Sequence, residues 1–206
     1  YEDLQVQVWD PSIGLGGVSV WGNAAKVGSK GLEVETVFQA TENLQLAAAV
    51  GYVDATYDVF PGVALPEGVG APGDDNDGVL DAKTDASGNQ VPIAPKWNAN
   101  VTASHQYPLQ NGGSLVTRIE YTYKGDRFSD QGSANTPGDE LPSYSLVNLR
   151  LGYNPEAANW SLNLWARNLT NTQKPEESRY FNFVGARQTK RYMTPRTYGV
   201  SFNYDF

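Results

Sequence analysis

A chain of 206 residues with a net charge of −8, no Cys and one His can build one sizeable domain. It excludes a disulfide framework, thiolate metal sites and the basic face that nucleic-acid binding needs. Only 18% of residues are charged, while Gly (21), Tyr (12) and Phe (7) are plentiful, which favours strand and turn over helix. No apolar run is long enough for a transmembrane helix. The polar start Tyr1-Glu2-Asp3 is not a leader, so the chain is expected to have lost one or to continue a longer protein.

Eight segments alternate with a period of two, the signature of strands with one apolar face. The first carries Leu4, Val6 and Val8; the second Leu32, Val34, Thr36 and Phe38; the third Leu44, Leu46, Ala48, Val50 and Tyr52. Then come Trp97, Ala99, Val101 and Ala103, followed by Leu115, Thr117, Ile119, Tyr121 and Tyr123. Val147, Leu149, Leu151 and Tyr153 mark the sixth, and Trp160, Leu162, Leu164 and Ala166 the seventh. The eighth, residues 198–206, alternates without a break from Tyr198 through Val200, Phe202 and Tyr204 to Phe206. The intervening positions are small, polar or charged, and the apolar faces end in aromatics.

Connections between these strands alternate in length. Long ones cover roughly 10–23, 59–94, 128–141 and 172–190, and short ones 41–43, 108–113 and 154–158. Tight turns on one side and large loops on the other are the pattern of an outer-membrane β-barrel, with aromatic girdles at both interfaces. The mean hydropathy of −0.46 does not oppose this, because such strands show only every second side chain to lipid. A soluble β-sandwich shares the alternation but gives no reason to segregate loop lengths.

Several segments resemble one family. Asn23-Ala24-Ala25-Lys26-Val27-Gly28-Ser29-Lys30-Gly31-Leu32-Glu33-Val34-Glu35 is similar to a barrel strand of TonB-dependent outer-membrane receptors. Residues 44–58, Ala94-Pro95-Lys96-Trp97, Arg167-Asn168-Leu169-Thr170-Asn171 and Pro195-Arg196-Thr197-Tyr198-Gly199-Val200 resemble further motifs of that family, in its order. The resemblance implies an all-β, antiparallel transmembrane β-barrel, of which this chain is the C-terminal eight strands out of about 22. The family's plug domain and TonB box have no counterpart in the chain. The implied function is TonB-dependent uptake of a scarce bulky nutrient, foremost a ferric siderophore, across the bacterial outer membrane. Implied partners are the remaining strands and plug, the TonB energising complex, the barrel-assembly machinery and the small-molecule ligand. The alternative is a passive pore or a small structural barrel of eight strands.

No catalytic constellation stands out, so no enzyme is expected. His105 has no second His or Cys with which to hold a metal. The inward charges Glu33, Glu35, Arg118, Glu120, Lys124, Arg150 and Arg167 solvate the wall or pair across strands; the resemblance implies that as a set they contact the plug. Arg179, Tyr180, Phe181, Phe183 and Arg187, with basic neighbours Lys190, Arg191 and Arg196, suit an anionic, partly aromatic ligand or the phosphates of lipopolysaccharide. Asp75, Asp77 and Asp81 with Gly78 resemble a calcium loop within 59–94, although Gly73 stands at its first ligand position. Phe202, Tyr204 and Phe206 resemble the signal read by barrel-assembly machinery, and the alternation of loop lengths is expected to place the C-terminus in the periplasm.

Overall fold

The computed structural model describes residues 2, 4–10, 18–61, 63–64, 83–129, 135, 139–156, 158–181 and 187–206. Its strands, in chain order, are β1 (Leu4–Asp10), β2 (Val18–Thr41), β3 (Leu44–Val59), β4 (Val63–Ala64), β5 (Lys83–Thr84), β6 (Trp97–Pro108) and β7 (Ser114–Lys124). They continue as β8 (Arg127–Phe128), β9 (Glu140–Leu141), β10 (Tyr144–Asn154), β11 (Trp160–Arg167), β12 (Pro175–Phe181), β13 (Arg187–Tyr192) and β14 (Thr197–Tyr204). Eight of them form one antiparallel meander in the order β1-β2-β3-β6-β7-β10-β11-β14. The other six make three short ribbons, β4–β5, β8–β9 and β12–β13.

All eight strands expected from the alternation are present. One boundary differs: residues 18–23 of the segment expected as a loop over 10–23 are strand, because β2 begins at Val18 and pairs with β1 from Val18 to Ala25. The remaining long connections contain the ribbons. Tight turns close the opposite end. Between β2 and β3 the Thr41 hydroxyl accepts from the backbone N–H of Leu44 at 3.0 Å. Between β6 and β7 Gly112 takes φ +79°, which a side chain would resist.

Cross-strand register carries the apolar positions into continuous rows. Phe38, Leu46, Ala103, Ile119, Leu149, Ala166 and Tyr198 are successive partners across seven strands. This face is not packed on anything: Leu32 is 70% exposed, Phe38 60%, Val200 65% and Tyr198 78%. A sandwich buries its apolar face between two sheets; here the apolar face is the outside. Aromatic clusters mark both ends of it. Tyr52 and Trp97 lie 4.8 Å apart at the long-loop end. At the tight-turn end Tyr153 meets Trp160 edge to face at 5.7 Å, and Trp160 stacks on Phe202 at 5.8 Å. Trp97 and Tyr107 bracket β6, and that separation, about 34 Å of tilted strand, gives roughly the 25 Å height of an apolar membrane band.

The sheet is open. Among the described residues, β14 has no partner beyond β11, and β2 has no partner on its β1 side after Ala25. In a lipid-facing wall such edges would need further strands to pair with. The few buried apolar side chains, Tyr57, Phe60, Ala86, Leu141 and Met193 among them, gather outside the apolar band, beneath the long connections.

Candidate functional site

The second face of the wall is polar because β7 and β10 alternate charge against the apolar rows. Glu120 and Arg118 stand two apart on β7, hence on one face, and their side chains meet at 2.7 Å. Arg118 lies directly opposite Arg150 on β10, a like-charge pair that is destabilising by itself. Glu120, the diagonal neighbour of Arg150 and the cross-strand partner of Asn148, offsets it. Beside them, the Thr122 hydroxyl donates to Asn100 Oδ1 at 3.0 Å. On β11 the Trp165 indole donates to the Ser201 hydroxyl at 3.2 Å and lies across Gly199, where an added Cβ would sit 2.5 Å from the ring.

The expected wall charges therefore do not form one cluster. Arg118, Glu120 and Arg150 come together, with Lys124 four residue pairs beyond Glu120 along β6–β7. Arg167 stands at the long-loop end of β11, its guanidinium 5.3 Å from the Trp165 ring centre. Glu33 and Glu35 face Gly51 and Ala49 across β3, and carry no ion pair among the described residues. Three strand spacings, roughly 14 Å, separate β2 from β7. What these side chains share is a face, with two carboxylates left for something other than their own wall.

At the long-loop end, Arg179, Tyr180 and Phe181 lie on β12 and Arg187 on β13. Arg179 pairs in register with Thr189, Tyr180 with Gln188, and Phe181 with Arg187. Phe183, and the acidic residues Asp75, Asp77 and Asp81, lie outside the described residues. The ribbon is clamped by Arg191, whose guanidinium donates to Glu177 at 2.8 Å and Glu176 at 3.1 Å. Those bonds, Glu177's first, hold the Arg191 pKa above its ordinary value, so this cation is committed to the fold of the ribbon.

Two arrangements here carry no sequence signal of their own. Arg127 on β8 is 5% exposed; it donates to the Glu176 carbonyl at 3.3 Å and lies 5.5 Å from the Tyr144 ring centre. It ties β8, β10 and β12 into one base under the loops. Asn168, just past β11, is also 5% exposed, with φ +51°. Its amide donates to the carbonyls of Thr172 (2.9 Å) and Thr194 (3.0 Å), and its Oδ1 accepts from the Thr172 N–H (2.8 Å). Its own N–H donates to Asn148 Oδ1 at 3.0 Å. Asn148, the cross-strand partner of Glu120, thus connects β10 through Asn168 to the root of the β12–β13 ribbon.

A family profile described as "TonB dependent receptor-like, beta-barrel" matches residues 1–169. Among solved structures, the chain is similar to the ferric yersiniabactin uptake receptor FyuA from Yersinia pestis, at 16% identity and a TM-score of 0.71, with 100% of this chain covering 26% of that one. It is similar to the siderophore receptor PiuA from Acinetobacter baumannii, at 19% identity and a TM-score of 0.63, with 96% covering 23%. It also matches the ferric-catecholate import receptor Fiu from E. coli K12, at 17% identity and a TM-score of 0.61, with 100% covering 24%. The chain spans about a quarter of the length of these structures.

Proposed function

This chain belongs to the TonB-dependent receptor-like β-barrel family, and from that premise we propose that it forms the C-terminal eight strands of an outer-membrane transporter for a scarce bulky nutrient, foremost a ferric siderophore. The observation that carries the reading is the division of one sheet into an unpacked apolar face with aromatic ends and a charged face that includes unpaired carboxylates. The first suits lipid; the second suits a plug held inside a wide barrel. The loop-bearing end faces the medium, the tight turns face the periplasm, and the TonB complex pulls on the plug. A transporter, not an enzyme, is the role these surfaces fit. A closed eight-stranded barrel would need β1 to pair with β14, and these are the two ends of the strand order.

Capture of the ligand is assigned to the β12–β13 ribbon. In the full-length protein, Tyr180→Ala with Arg187→Ala should weaken binding of a ferric chelate about tenfold or more, since Tyr and Arg are the residue types that dominate interfaces. Uptake of radiolabelled iron chelate measures this. Unchanged uptake, with normal amounts of barrel in the membrane, would remove the ribbon from the ligand site.

Phe206 is assigned to assembly. Its side chain is exposed and meets the Tyr204 ring edge to face at 5.1 Å. Packing therefore explains little of it. Phe206→Ala should leave the unfolding free energy of refolded protein within about 0.5 kcal/mol of the parent, as for other surface changes. The amount inserted in cells should fall several-fold. Equal insertion of both proteins would show that Phe206 is not part of the signal.

A further inference from the structure

Charge is unevenly shared between the β12–β13 ribbon and the wall beneath it. Arg191, exposed on β13, receives two carboxylates, Glu177 at 2.8 Å and Glu176 at 3.1 Å. Arg127, on β8, receives none among the described residues. Its guanidinium is buried against the Tyr144 ring and spends Nη2 on the Glu176 carbonyl at 3.3 Å. Its Nη1 is buried with no hydrogen-bond partner among the described residues. A buried cation without a counter-charge is costly, whereas a second carboxylate on an exposed arginine adds little.

One residue touches both cations. Glu176 meets Arg127 through its carbonyl and Arg191 through its carboxylate. Register explains how. Pro175 pairs with Tyr192 and Glu177 with Arg191, so Glu176 is the extra residue of a β-bulge and has no partner in the ladder. Consecutive strand residues point to opposite faces, and the bulge is what brings Glu176 and Glu177 to the same guanidinium. The carbonyl contact also holds the Arg127 head within roughly 6 Å of the Glu176 Cα, by standard bond lengths, which a glutamate side chain nearly spans.

We propose that Glu176 is a switch carboxylate: it rests on Arg191 while the ribbon is empty and passes to Arg127 when an anionic group of a ligand takes Arg191, fastening β12 to the wall. Glu177, paired in register with Arg191, keeps that arginine in the ribbon throughout, and a guanidinium has donors for both Glu177 and an anion. The fastened state gives the buried guanidinium its counter-charge and gives up one of two exposed contacts. The use of this switch in ligand capture rests on the role proposed above for the ribbon; the exchange itself does not.

The test is hydrogen exchange of the β12 amides, read by mass spectrometry on full-length protein in detergent. Arg191→Ala removes the competing guanidinium, so Glu176 should pass to Arg127. In that background Glu176→Gln should speed exchange about fivefold or more, and Arg127→Met should abolish the sensitivity. With Arg191 present, Glu176→Gln should have the same effect whether residue 127 is Arg or Met. Equal coupling of Arg127 to Glu176 in the two backgrounds overturns the switch. Should Arg191→Ala unfold the ribbon, seen as lost protection of β13 as well, a second arm decides. Excess inorganic phosphate, compared with chloride at the same ionic strength, should slow β12 exchange in the parent and not in Arg127→Met. Equal exchange in phosphate and chloride overturns the anion as trigger. Iron uptake enters neither arm, so failure of the switch and failure of the transporter reading are read separately.

Discussion

Asn168→Ala in the full-length barrel is expected to lower the unfolding free energy by about 3–5 kcal/mol, measured by urea titration of refolded protein in detergent micelles. The substitution strips partners from the carbonyls of Thr172 and Thr194 and from the Thr172 N–H, in a position only 5% exposed. The three bonds are part-buried, so each orphaned group costs about 1 kcal/mol, the low end for such a loss, because truncation admits water. Alanine also resists the φ of +51° that asparagine tolerates, adding about 1 kcal/mol. Asn168→Gly separates the two contributions: it relieves the backbone strain but restores no hydrogen bond, so it should recover about 1 kcal/mol of the loss. Asn168→Asp should be at least as harmful as alanine, since a carboxylate would face two carbonyl oxygens. If all three variants unfold within about 0.5 kcal/mol of the parent, as ordinary surface changes do, Asn168 is not the fastening of the ribbon. The loss should also reach ligand capture, because Asn168 joins the root of β12–β13 to Asn148 on β10.

The eight wall strands were legible because lipid imposes a period of two wherever it touches one face. Val147, Leu149, Leu151 and Tyr153 show it plainly, and β10 is where they place it. The same logic explains what was missed. The first half of β2, Val18 to Gly31, runs through Gly22-Asn23-Ala24-Ala25 and Gly28-Ser29-Lys30-Gly31 with little apolar alternation. It lies beyond the Tyr52–Trp97 pair on the long-loop side, and backbone pairing with β1 and β3 holds it. Alternation reports the environment of a strand, and the strand can outlast it. The ribbons were hidden for another reason: β8 and β9 are two residues each, too short for any period to register.

Site residues divide in the same way. Arg118, Glu120 and Arg150 were identifiable as facing one way, since parity alone fixes the face. That Glu120 relieves an Arg118–Arg150 opposition depends on the register of β7 with β10, which no single-strand pattern specifies. Arg127 looked like one of fifteen basic residues. Its burial needs Tyr144 and Glu176, 17 and 49 positions along the chain, to be brought over it.

The strongest test of the wall itself is a pair of substitutions on one strand. Ile119 lies mid-row on the apolar face, 45% exposed, between Ala103 and Leu149. Val116, three residues earlier on β7, faces the other way, opposite Gln106 and Gly152. Ile119→Arg should destabilise the refolded barrel by about 2–4 kcal/mol, the cost of a guanidinium at the depth of the bilayer core. Val116→Arg puts the same side chain on the polar face and should cost less than about 1 kcal/mol. Unfolding in lipid vesicles reads both, and the difference matters more than either value because it cancels the strand propensity and entropy of arginine. A sheet whose apolar face were covered by protein would also reject Ile119→Arg, but it would fold as a monomer without detergent or lipid. Equal costs at the two positions, or a soluble folded monomer, would each be incompatible with an apolar face turned to lipid.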